Sequence, residues 1–149
     1  MDSPMLIKHI FATVMLVSRK WEVILNRSYS KEALTLKQFM LLIVLGNAFQ
    51  HEPTIKEISG TLGTSHQNVK ALLVQLERKG FVTMYCDPND RRVIRVKSSP
   101  DKQAYWEERD QKDKQILDAL FRGIPKADLE ATCRTLAKLD EIAADKIAF

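Results

Sequence analysis

Residues 54–80 read TIKEISGTLGTSHQNVKALLVQLERKG, and residues 81–97 continue FVTMYCDPNDRRVIRVK. Thr54-Ile-Lys-Glu57 has the form of a capping box, in which the threonine hydroxyl accepts from the N3 amide and the glutamate reaches back to the cap amide. A short helix from Ile55 to Leu62 follows, and Gly63 suits the left-handed residue beyond its end. Ser65 caps a second helix, which runs through Val69, Leu72, Leu73 and Leu76 to Lys79 and is closed by Gly80. Two helices joined by a tight glycine-containing turn predict a helix-turn-helix. Ser59, small and four residues before Gly63, stands where the two helix backbones approach. The β-branched and aromatic runs Phe81–Tyr85 and Val93–Lys97 flank the turn formers of Cys86-Asp-Pro-Asn-Asp-Arg-Arg92, which predicts a β-hairpin. A hairpin directly after the second helix of a helix-turn-helix is a wing.

Toward the N-terminus, Thr35 caps a helix to about Ala48, with Leu36, Phe39, Met40, Ile43 and Val44 expected inward; it is apolar nearly all round in its middle, hence central. Before it, Ile7, Ile10, Phe11, Val14, Val17, Trp21, Ile24 and Leu25 recur at steps of three and four, predicting an amphipathic helix ended by a turn near Asn26–Lys31. Toward the C-terminus, Ser99-Pro100-Asp101 reads as a helix start. From Glu107 to Gln115 there is no apolar residue, the pattern of a solvated helix bridging two lobes. Ile116, Leu117, Leu120 and Phe121 restore an apolar face. After Gly123 and Pro125, a last helix carries Leu129, Cys133, Leu136, Leu139, Ala143 and Ile147 on one side. The expected fold is mainly α with a small β-wing: a winged helix-turn-helix lobe over 35–98, plus an N-terminal (1–34) and a C-terminal (99–149) helical dimerisation region. The end helices have apolar faces and few residues with which to build a core of their own, so a homodimer is expected.

The chain has 149 residues, too few for a large α/β enzyme. Its net charge is +4, with the positive surplus in the first two thirds and an acidic final third. Two cysteines, Cys86 and Cys133, form no disulfide framework and suit a reducing cytoplasm. No cleavage-site pattern follows the apolar stretch Ile10–Val17, and the longest wholly apolar run, Phe39–Leu45, is far short of a membrane span. The expected location is cytoplasmic, with no membrane partner. No HExxH, GxSxG or phosphate-cradling glycine loop is present, so catalysis is not expected, nor is a cofactor. His9, His51 and His66 are scattered, so no metal site is expected.

The sequence resembles the MarR family of winged-helix transcription regulators. The resemblance rests on Thr35-Leu-Lys-Gln38, Thr54-Ile-Lys-Glu-Ile58, Leu62-Gly-Thr-Ser65, Leu76-Glu-Arg-Lys-Gly-Phe-Val82 and Asp87-Pro-Asn-Asp-Arg-Arg92. It implies a DNA-binding homodimer, often a repressor relieved by a small anionic or phenolic ligand or by oxidation. There are departures. Ala71 stands where the family often has an arginine, Lys97-Ser-Ser-Pro100 replaces the usual Leu-Thr, and the first helix has no cysteine.

A helix in the major groove reads base edges mainly with its N-terminal residues, here Ser65, His66, Gln67, Asn68 and Lys70. Gln and Asn suit adenine, and Lys suits guanine or phosphate. Arg91 and Arg92 at the wing suit the minor groove, where the potential is most negative. Asp90, as the resemblance implies, holds Arg92 through a carboxylate–guanidinium pair. Lys56 and Thr64 are expected to position the backbone phosphates. Phe11, Met15, Phe39, Tyr105 and Trp106 are candidate walls of an effector pocket, against the plainer reading of each as core. The expected function is sequence-specific binding of double-stranded DNA at a pseudo-palindromic operator, as a regulator open to release by a small-molecule effector. The competing reading is a winged helix used for protein contacts.

Overall fold

The computed structural model describes residues 2–29 and 33–147. Helix α1 spans Ser3–Tyr29, α2 Leu36–Asn47, α3 Ile55–Leu62 and α4 His66–Arg78. Strands β1 (Val82–Cys86) and β2 (Ile94–Ser98) follow, then a 3-10 turn at Pro100–Lys102, α5 (Gln103–Leu120) and α6 (Lys126–Lys146).

The helix boundaries follow from local chemistry. Thr54 and Glu57 form the reciprocal capping box, with Glu57 N to Thr54 Oγ1 at 3.2 Å and Thr54 N to Glu57 Oε2 at 2.7 Å. A second box, unread in the sequence, opens α2: Gln38 N donates to Thr35 Oγ1 at 3.3 Å and Thr35 N to Gln38 Oε1 at 3.1 Å. Gly63, at φ +65°, makes the reversal between α3 and α4 that a Cβ would strain. The strands pair antiparallel with Val82 opposite Ser98 and Cys86 opposite Ile94. Thr54 bridges to Arg95, and Val96 N donates to Pro53 O at 2.9 Å, so the segment before α3 lies along the wing's second strand.

One core fills the centre of the lobe. Leu41, Leu42 and Leu45 of α2, Ile55 and Ile58 of α3, Val69, Leu73 and Leu76 of α4, and Phe81, Val82 and Val96 of the wing are all buried. Ser59 is buried where α3 meets α4, as its size requires.

Four sequence expectations are corrected. α1 does not end at Asn26: it continues to Tyr29, whose buried ring packs 4.9 Å from Phe39, while residues 30–32, including Lys31, lie outside the described residues. The inward face of α2 is Gln38, Leu41, Leu42 and Leu45, whereas Met40 and Ile43 are exposed and Leu36, Phe39 and Val44 only half-buried. A helix apolar all round has no periodicity from which to choose a face. Ser99 makes no side-chain cap, because a 3-10 turn intervenes before α5. The polar stretch 107–115 is not uniformly solvated, since Arg109 within it is buried.

Candidate nucleic-acid interface

Helix α4 follows the αL glycine Gly63 and is capped by Ser65, whose Oγ accepts from Asn68 N at 3.2 Å. His66, Gln67 and Lys70 are exposed on its first two turns. Asn68 is exposed too, but its Nδ2 donates to Thr64 Oγ1 at 3.2 Å, which turns the amide back toward the helix-turn-helix turn. Lys56 is exposed on α3.

At the wing, Arg92 meets Asp90 as a fork: Nε to Oδ1 and Nη2 to Oδ2, both 3.1 Å. Arg92 N also donates to Asp90 Oδ1 at 3.1 Å. The guanidinium holds the Asp90 carboxyl below its ordinary range, and the carboxylate raises Arg92 in turn. The Arg92 side chain is nonetheless 90% exposed, so it is aimed while still in water. Arg91 beside it is exposed.

The wing is braced by a group of residues that sequence reasoning missed. Buried Asp87 accepts from the amides of Asn89 at 2.7 Å and Asp90 at 3.2 Å, and from Arg95 Nε. The Arg95 hydrogen bond, then the Asn89 amide, lowers the Asp87 carboxyl from its ordinary value. Arg95 Nη1 continues to Glu52 O at 2.8 Å, and the Tyr85 hydroxyl donates to the Glu52 carboxylate. Glu77 of α4 accepts from Met84 N at 2.6 Å, fixing the hairpin to that helix. The available signal was strand alternation, which puts Tyr85 and Arg95 opposite one another. At the same C-terminal end of α4, buried Gln38 donates through Nε2 to Gln75 Oε1 at 2.6 Å, and its Oε1 accepts from Lys79 Nζ at 2.8 Å.

The five expected pocket residues are not brought together. Phe39, Tyr105 and Trp106 join Phe81 in an aromatic cluster against the core, with Phe81–Tyr105 at 5.1 Å and Tyr105–Trp106 at 5.2 Å. Phe11 and Met15 are exposed, on a stripe of α1 beside the one that faces inward. A cavity of about 900 Å³ lies elsewhere, between Val14, Val17 and Trp21 of α1, Met40 of α2, Leu136 of α6 and the α4 stripe Asn68, Ala71, Leu72 and Gln75. Thr64 borders it as well. Cys86 and Cys133 are exposed free thiols. Among the described residues no cluster of His, Cys, Asp or Glu forms a metal site, and no helix is long and apolar enough to cross a membrane.

A family model described as the MarR family matches residues 34–94. No curated protein matches the sequence. Among solved structures, a MarR-family transcriptional regulator from Rhodococcus sp. RHA1 has a TM-score of 0.78 at 16% identity, covering 89% of this chain and 93% of that one. The MepR–DNA complex of S. aureus has a TM-score of 0.71 at 20% identity, covering 86% of this chain and 93% of that one. Streptococcus pneumoniae FabT in complex with DNA has a TM-score of 0.67 at 16% identity, covering 94% and 99%. At these identities the likeness is one of fold. The family's model therefore lies on the lobe that holds α4 and the wing, and the chain shares the winged-helix fold of these solved structures over nearly its whole length.

Proposed function

We propose that the protein is a transcriptional regulator that binds double-stranded DNA in a sequence-specific manner. The observation that carries this reading is a pre-aimed cationic wing, Arg92 forked by Asp90, in the same lobe as an α4 whose first turns expose His66, Gln67 and Lys70. Ser65, His66, Gln67, Asn68 and Lys70 are assigned to the major groove, with Asn68 having one donor occupied by Thr64. Arg91 and Arg92 are assigned to the minor groove with Asp90 as their holder, and Lys56 and Thr64 to phosphates.

The active form is a homodimer joined through regions 1–34 and 99–149, with 35–98 as the reading head. Support comes from apolar rows exposed on a single chain: Ile7, Ile10 and Phe11 on α1, and Leu136, Leu139 and Ile142 on α6. Such rows exceed what a soluble monomer usually exposes. The regulator acts as a cytoplasmic repressor, released when an effector occupies the cavity beside α4 and shifts the reading helices. The cavity's size and its wall of α4 side chains support that step.

Selection and sequencing of genomic fragments bound by the purified protein tests the reading. Enrichment of a pseudo-palindrome with half-sites about one helical turn apart supports it. Salt-sensitive bulk binding with no enriched sequence refutes it in favour of a winged helix used for protein contacts.

A further inference from the structure

The stretch from Glu107 to Gln115 has no apolar side chain, yet Arg109 in its middle is 1% exposed. Its guanidinium carbon lies 3.8 Å from the centre of the Tyr29 ring and 5.9 Å from that of Phe39. Nε donates to Asp113 Oδ1 at 2.8 Å, Nη2 donates to the same carboxylate, and Nη2 also reaches Ser28 Oγ at 3.3 Å. The Tyr29 hydroxyl faces Asp113 at 3.4 Å. One side chain therefore joins the last turn of α1, the middle of α5 and a ring of α2. Farther along, Trp21 and Phe121 meet at 5.5 Å, so α1 and α5 run antiparallel as one arm. Arg109 sits at its root, one turn beyond Tyr105 and Trp106, which fix α5 to the lobe.

We propose that Arg109 is a positioning residue that sets the angle at which the α1–α5 arm leaves the winged lobe, and through it the spacing of two reading heads on DNA. The proposal rests on the reading of the protein as a dimeric DNA-binding regulator. For stability alone, an apolar side chain of similar volume serves a buried site about as well as an ion pair. What the guanidinium adds is direction, through a planar stack and a fork of donors. The lever is long enough to matter. From Arg109 to Leu120 the arm runs about 16 Å at about 1.5 Å per residue. A tilt of about 10° displaces its far end by about 3 Å, close to the rise of one base pair, about 3.4 Å.

The test uses Arg109→Met, which keeps the volume, and Arg109→Lys, which keeps the charge without the fork. Each is titrated on duplexes carrying the selected half-sites at the selected spacing and at one base pair more or less. Wild type discriminates among spacings; both variants are expected to lose that discrimination by on the order of 3- to 30-fold, with salt-dependent binding to random duplex unchanged. Spacing preference retained in Arg109→Met overturns the proposal and leaves Arg109 a space-filling residue. A DNA-independent readout accompanies it: pulsed spin-label distances between the two wings, labelled at native Cys86 in a Cys133→Ala background. The distribution is expected to be narrow in wild type and broad in both variants. If Arg109→Met does not fold, Tyr29→Leu and Asp113→Asn remove one wall each and are expected to broaden the same distribution. Wing distances narrow in wild type and broad in the variants, without any enriched DNA, would sink the regulator reading and leave Arg109's role in setting the arm standing. Enriched DNA with unchanged variants would do the reverse.

Discussion

Arg92→Ala removes one exposed guanidinium from each wing, two in the proposed dimer. Its side chain is 90% exposed and touches none of the buried core, so the melting temperature should stay that of the wild type. The effect should appear in the salt dependence of DNA binding. Each neutralised phosphate contributes about 0.9 to the slope of log K against log salt, so two lost contacts flatten it by about 1.8. Between about 50 and about 200 mM salt that difference amounts to about 12-fold in relative affinity, the wild type losing more. Asp90 complicates the single variant, because without Arg92 its carboxylate faces the phosphates unpaired. Asp90→Asn/Arg92→Ala removes that repulsion and should recover some affinity with the flattened slope unchanged. Fluorescence anisotropy on a labelled random-sequence duplex over a salt series measures both quantities without knowledge of the operator. Parallel wild-type and Arg92→Ala lines would refute a phosphate or minor-groove role for the wing tip.

Gln67→Ala should cost about 1–3 kcal/mol of discrimination at one base position, with little change on random DNA; a uniform loss measured on both would make it a positioning residue. Leu73→Ala, at a site with no exposure, should destabilise by about 2–5 kcal/mol in urea unfolding. Gly63→Ala should cost about 1 kcal/mol or more by the same measurement, because φ +65° strains any side chain there. Asp87 has a folded pKa below its unfolded value, so its brace stabilises the wing above the ordinary carboxylate range of about 4 and is lost as pH falls through the lower folded value. Protection factors of the Asn89 and Asp90 amides, corrected for intrinsic exchange, should therefore fall in acid, and Asp87→Asn should abolish that dependence.

The lobe was legible because its signals are local. Thr54 and Glu57 are three residues apart and Ser59 and Gly63 four, and the wing's turn formers are contiguous, so each declares its conformation to its neighbours alone. The tip pair, Asp90 with Arg92, spans two residues and was anticipated through the family resemblance. The brace behind it was not, because Glu52 and Arg95 are distant in sequence and meet only when the segment before α3 is laid along β2. The face of α2 was misjudged for a related reason. A uniformly apolar helix offers burial on every side, and the placement of α1 and α6 decides which side faces the cavity.

Caps, αL glycines and turn residues act within a few positions, so the helix-turn-helix, the wing and the order of the helices could be read from the chain alone. Packing between distant segments was needed to set Tyr105 and Trp106 against the core, Phe39 against Trp106, the cavity beside Ala71 and Leu72, and Arg109 inside. An arginine in a polar stretch carries no sequence signal of burial. Its charge is tolerated inside because Asp113, Ser28 and the Tyr29 ring arrive from α5 and α1 to replace the water it gives up.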